Sequence, residues 1–160
     1  SIPYIEKSSF IKSIFTRFGR NPYLGLAAGT FATMLVQSSG ATVGLTMVLF
    51  NGELIDFNAA ISLILGDNIG TCFTAQLASV NSSVSAKRTA LAHTLYNIIG
   101  SIIVLIFLSR FSRLVIAVTN ILGQEKSRLV ANAHTLFNLI SALIFLPFTR
   151  YYVKFIEWLI

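Results

Sequence analysis

With 54% hydrophobic and 11% charged residues over 160 positions, the chain lies far below the charge content of about 25% usual in soluble domains, which excludes an ordinary water-soluble globule and makes lipid its expected solvent. At about 20 residues per crossing, this length holds roughly four or five membrane passes and leaves little for a separate soluble domain. The net charge of +6 does not mark a nucleic-acid binder, because Lys and Arg sit between apolar segments and never interleave with an exposed aromatic platform.

Residues 1–21 carry Lys7, Lys12, Arg17 and Arg20 among Ile5, Phe10, Ile11, Ile14, Phe15 and Phe18. This spacing predicts an interfacial amphipathic helix whose basic residues face lipid headgroups, ended by Pro22. No cleavable signal pattern opens the chain, and its start at Ser1 fits a processed chain or one part of something longer. A first apolar segment covers 23–50, followed by the turn signal Asn51-Gly52. A second covers 57–80, a polar link follows at 81–87, and a third covers 89–108. A basic loop is expected at 109–128, then a fourth segment at 129–148. The tail 150–160, with Tyr151, Tyr152, Lys154 and Trp158, has the aromatic and basic character of an interfacial anchor. The single cysteine, Cys72, excludes an internal disulfide framework. Both threadings of the first segment give the same imbalance of basic residues between the two sides, so charge does not orient the chain.

Segments three and four contain a repeat, Ala92-His93-Thr94-Leu95-Tyr96-Asn97 returning as Ala133-His134-Thr135-Leu136-Phe137-Asn138. At helical spacing His93 shares a face with Asn97, and His134 with Asn138, so each pair is placed to hydrogen-bond across a helix interface. The expected segment bounds set these pairs near helix ends, which disfavours a proton relay.

Segments one and two carry the chemistry. Gln37-Ser38-Ser39-Gly40-Ala41-Thr42 interrupts the first near its middle, and Gly66-Asp67-Asn68-Ile69-Gly70-Thr71 interrupts the second, followed by Thr74 and Gln76. Both are expected to be helix breaks, with glycines letting the backbone leave helical geometry. A broken helix survives in hydrocarbon only where protein or an aqueous cavity satisfies its polar groups, so such breaks line sites. Half-helix N-termini suit an anion, while unwound carbonyls and hydroxyls suit a hard cation such as sodium. Ser38, Ser39 and Thr42 are candidate donors to an anion, and Asp67 is a carboxylate that needs a cation or a proton at membrane depth. The competing reading is that small residues here serve only close helix packing.

These motifs resemble the sodium-dependent phosphate cotransporters, whose repeats carry Gln-Ser-Ser-Ser followed by Gly-x-Asn-Ile-Gly-Thr-Thr. Here they read Gln37-Ser38-Ser39-Gly40 and Gly66-Asp67-Asn68-Ile69-Gly70-Thr71-Cys72, in the same order, and the likeness covers roughly residues 25–145. Gly40 replaces the third serine, Asp67 stands where a small residue is usual, and Cys72 replaces a threonine. The resemblance implies an all-α integral membrane protein, one half of an inverted-repeat transporter core. Its parts are a re-entrant helical hairpin, a broken transmembrane helix and two further transmembrane helices. Residues 1–22 would be the interfacial helix, 23–148 the transport repeat and 149–160 the anchor tail. The implied activity is sodium-coupled symport of inorganic phosphate across the cell membrane by alternating access, with no catalysis and sodium as the coupling ion. The candidate site comprises Gln37, Ser38, Ser39, Thr42, Asp67, Asn68, Thr71 and Thr74, with Asp67, Asn68, Thr71 and Gln76 as sodium ligands. Only one Gln-Ser-Ser signature is present, so the partner half is either a second copy in an antiparallel homodimer or another segment of a longer chain.

Three alternatives remain open on the residues. The solute is another small anion; the chain is a non-transporting membrane scaffold subunit; or it is an intramembrane serine hydrolase using Ser39 with His93 or His134, for which no oxyanion motif is recognisable.

Overall fold

A computed structural model of the protein describes residues 21–160. Every regular element among them is helical. The amphipathic helix expected over 1–21 lies outside the described residues, apart from Asn21, which caps the next helix.

Helix α1 runs Pro22–Val36, opened by the Asn21 side chain accepting from the Tyr23 N–H and by Pro at its first position. Pro22 therefore starts a helix here. The first segment does break, but over fewer residues than its polar run suggests. Gln37 turns into the left-handed region at φ 53°, and Ser38 is already the N-cap of α2, Ser39–Asn51. Ser39, Gly40, Ala41 and Thr42 form the first turn of α2. No glycine makes the turn; among the described residues only Gly123 has positive φ as a glycine.

Helix α3, Phe57–Ser79, is continuous through Gly66–Thr71, which corrects the expectation of a second break. The polar side chains there bond back to their own helix: Asn68 Nδ2 donates to Ile64 O at 2.8 Å, and Thr71 Oγ1 to Asp67 O at 2.8 Å. The glycines meet α1. A Cβ on Gly66 would lie 2.1 Å from Leu26 O, one on Gly70 2.6 Å from Thr30 O, and one on Gly29 of α1 2.1 Å from Leu63 O. Small residues four apart on α1 (Gly25, Gly29, Thr33) thus face small residues four apart on α3 (Ser62, Gly66, Gly70), and backbone meets backbone. The two helices run parallel. Helix α2 returns antiparallel to both, with Phe50 against Phe57 at 5.5 Å between ring centroids.

Helix α4, Val84–Ile106, lies antiparallel to α3, held by Gln76 Nε2 donating to Thr94 Oγ1 at 2.6 Å and Ser101 Oγ to Leu65 O at 3.2 Å. The expected basic loop is largely a helix, α5, Leu108–Ile121. Its buried residues Leu108, Phe111, Ser112, Val115 and Thr119 form one stripe at helical spacing, while Arg110 and Arg113 point outward. A short turn at Lys126–Arg128 leads into α6, Leu129–Phe145, and a tight turn containing Pro147 passes it on to α7, Thr149–Leu159. The tail is therefore helical, and Tyr152 ties it to α4 by donating its hydroxyl to Ala92 O at 2.6 Å.

Val84–Ile106 and the run Lys126–Leu159 are long and apolar enough to cross a membrane. At 1.5 Å per residue α1 and α2 reach only about 20 Å each, short of a hydrocarbon core of about 30 Å. α3 sits at the centre, buried along most of its length, with α1, α2, α4, α5 and α6 around it. The polar groups of its middle are thereby kept from lipid.

The repeated His-Asn pairs flank the middles of α4 and α6 and not their ends; in α4 the Ser83 N-cap starts the helix five residues earlier than the apolar run suggests. Asn97 Nδ2 reaches across to Cys72 Sγ on α3 at 3.2 Å and also donates to His93 O. Asn138 Nδ2 donates to His134 O on its own helix, while the two copies meet where the Tyr96 hydroxyl donates to Asn138 O at 3.4 Å.

Candidate functional site

The tip of the α1–α2 hairpin lies beside the middle of α3, and a polar cleft of about 190 Å³ opens between them. Thr33, Gln37, Ser38, Ser39 and Gly40 line it from the hairpin, and Gly70, Thr71 and Thr74 from α3. The left-handed turn at Gln37 reverses the chain here, and its N–H is satisfied by Thr33 O at 2.7 Å. Ser38 then caps α2 by accepting from the Ala41 N–H at 3.3 Å. The first N–H groups of α2, on Ser39 and Gly40, precede any intrahelical partner, and the partial positive charge of the helix end accompanies them. Among the described residues, no Lys, Arg or His lines the cleft. What the described residues offer an anion there is helix N–H groups and hydroxyls.

Thr42 and Asp67 lie beneath the cleft floor, both buried. They are joined by a residue that the motifs did not single out: Thr33 Oγ1 is 2.8 Å from Asp67 Oδ1 and 3.0 Å from Thr42 Oγ1. The signal for Thr33 was its place in the Gly25, Gly29, Thr33 series, which sets it on the face of α1 turned to α3. Asp67 is fully enclosed, and its other oxygen, Oδ2, is buried with no hydrogen-bond partner among the described residues.

The candidates from the sequence therefore divide. Gln37, Ser38, Ser39, Thr71 and Thr74 surround one cleft, and Thr42 and Asp67 sit behind it. Asn68 is buried and bonded to its own helix, and Gln76 is held by Thr94 on α4; neither lines the cleft. Thr74 Oγ1 donates to Thr71 O at 3.0 Å, which orients it at the rim.

A family model described as Na+/Pi-cotransporter matches residues 7–124. The chain belongs to the Na+/Pi-cotransporter family. This is a family of transporters and not of enzymes, so Ser39 with His93 or His134 is not a catalytic pair. Three relatives illustrate the likeness. "Uncharacterized protein YqeW" of Bacillus subtilis is 40% identical over 84 residues, 52% of this chain. "Putative inorganic phosphate export protein YjbB" of Salmonella typhimurium is 29% identical over 156 residues, 98% of this chain. Human "Sodium-dependent phosphate transport protein 2B" is 33% identical over 91 residues, 55% of this chain. The matched parts span 27%, 28% and 13% of those proteins, so the chain corresponds to a minor portion of each. No solved structure matches it.

Proposed function

We propose that the chain supplies one repeat of a multi-pass cell-membrane symporter that couples sodium to inorganic phosphate. The observation that carries this is the cleft, in which free N–H groups of α2 and the hydroxyls of Ser38 and Ser39 face Thr71 and Thr74 of α3, with no basic side chain among the described residues that line it. A tetrahedral oxyanion offers many acceptor oxygens and suits such a donor shell. The names "Putative inorganic phosphate export protein YjbB" and "Sodium-dependent phosphate transport protein 2B" support the same solute.

In this reading α1 and α2 form a re-entrant hairpin, entering and leaving on one side with the tip at mid-depth. Their lengths support it, since each is too short to cross. A second hairpin, from a further copy of the chain in antiparallel orientation or from another segment of a longer protein, faces the first across the solute. The locked α1–α3 pair moves as a unit to expose the solute to one side and then the other. Helix α7, with Tyr151, Lys154 and Trp158 exposed, lies at the headgroup level as an anchor.

Equilibrium binding of radiolabelled phosphate to the purified protein tests the reading. Saturable binding in sodium that weakens at least about tenfold when potassium replaces sodium is expected. Equal phosphate binding in the two salts would remove sodium from the account, and no saturable binding of phosphate in either would remove phosphate.

A further inference from the structure

Resting on that reading, we infer that the coupling cation binds behind the cleft, among Asp67, Thr33 and Thr42 and the carbonyl of Ser38, which keeps Asp67 of the four sodium ligands expected from the sequence and leaves out Asn68, Thr71 and Gln76. Four oxygens form an unbroken series there: Asp67 Oδ1 to Thr33 Oγ1 at 2.8 Å, Thr33 Oγ1 to Thr42 Oγ1 at 3.0 Å, and Thr42 Oγ1 to Ser38 O at 3.3 Å. A threonine hydroxyl has one proton to give. Two hydroxyls therefore serve three close oxygen contacts, and one contact is left without a hydrogen. Asp67 Oδ2, enclosed and without a hydrogen-bond partner among the described residues, adds a further acceptor. The cluster is rich in oxygen and short of protons, which is the environment a hard monovalent cation completes.

The same geometry supplies a coupling device. Thr33 lines the cleft on one side and touches the Asp67 carboxylate on the other. An anion in the cleft and a bare carboxylate one side chain behind it would repel each other in a medium of low dielectric. A sodium ion on Asp67 cancels that repulsion and favours anion entry, and by reciprocity the bound anion tightens sodium. The cation site includes residues of α1 (Thr33), the hairpin tip (Ser38), α2 (Thr42) and α3 (Asp67), so occupancy also draws the tip onto α3.

The test is the sodium-induced shift in melting temperature of the purified protein in detergent, titrated against potassium at constant ionic strength and fixed pH without phosphate. Wild type is expected to show a saturable sodium shift that potassium does not reproduce. Asp67→Asn and Thr33→Val should each weaken the apparent sodium affinity at least tenfold while still melting cooperatively. Thr33→Ser, which keeps the hydroxyl, should retain it, and so should Asn68→Ala and Gln76→Ala. Sodium binding with wild-type affinity in folded Asp67→Asn would overturn the assignment, even if phosphate binding stays sodium-dependent and the symport reading survives. With the titration repeated at a second fixed pH, a wild-type melting temperature that moves with pH and ignores sodium would overturn it in favour of a proton on Asp67. Conversely, a sodium shift lost in Asp67→Asn without any phosphate binding in wild type would leave the cation site standing and remove phosphate.

Discussion

Gly66→Ala and Gly29→Ala are each expected to destabilise the protein by about 1–3 kcal/mol or more, the range for overpacking a tight interior. A methyl at either position would sit 2.1 Å from a carbonyl oxygen of the facing helix, Leu26 O or Leu63 O. That neighbour is backbone, so it cannot rotate away, and α1 must separate from α3 to admit the methyl. Separation also opens the contact between Thr33 and Asp67 and exposes the polar middle of α3, so the loss extends beyond the clash of the added methyl itself. Gly44→Ala is the matched control, because nothing lies within 4 Å of its added Cβ. There the substitution replaces a poor helix former with a good one and should stabilise α2 by up to about 1 kcal/mol. Thermal melts in detergent of the three variants check the contrast; equal behaviour at Gly66 and Gly44 would contradict the close α1–α3 packing.

Replacing Ser38 and Ser39 together by alanine is expected to lower phosphate transport by two orders of magnitude or more, while the melting temperature falls modestly. The structural cost is the Ser38 cap, whose hydroxyl accepts one N–H at 3.3 Å, and loss of such a cap costs about 1 kcal/mol. The functional cost is larger in the proposed site. Both hydroxyls line the cleft, and a buried phosphate oxygen left without its donor loses a charge-assisted bond of about 1.5–3 kcal/mol at each position. Two such losses give the stated reduction. Full transport in a folded double variant would take both serines out of the mechanism.

Much of this arrangement was legible in the sequence, though not for uniform reasons. The break in the first segment could be read because Gln37, Ser38 and Ser39 interrupt an apolar run where no neighbouring strand or loop would absorb them. The second run, Gly66 to Thr71, has nearly the same composition, yet α3 passes through it unbroken. What separates them is tertiary: the two glycines are placed against α1, and the polar side chains find acceptors one turn back on their own helix, as Asn68 and Thr71 do. Composition cannot distinguish a glycine that bends a helix from one that admits a neighbour. The spacing of four shared by Gly25, Gly29 and Thr33 with Ser62, Gly66 and Gly70 does carry that information, and it also places Thr33 at the site. Helix α5 was hidden by Arg110 and Arg113, although the stripe Leu108, Phe111 and Val115 already had helical spacing.

The central claim is that sodium drives phosphate through the cleft at the hairpin tip, and uptake of radiolabelled phosphate into liposomes containing this chain alone tests it most directly. An imposed inward sodium gradient is predicted to give phosphate accumulation that an equal potassium gradient does not, with copies of the one chain supplying both halves of the core. Equal uptake under the two gradients, by protein that is folded and inserted, would contradict sodium coupling; no uptake under either would contradict the claim that copies of this chain suffice for transport.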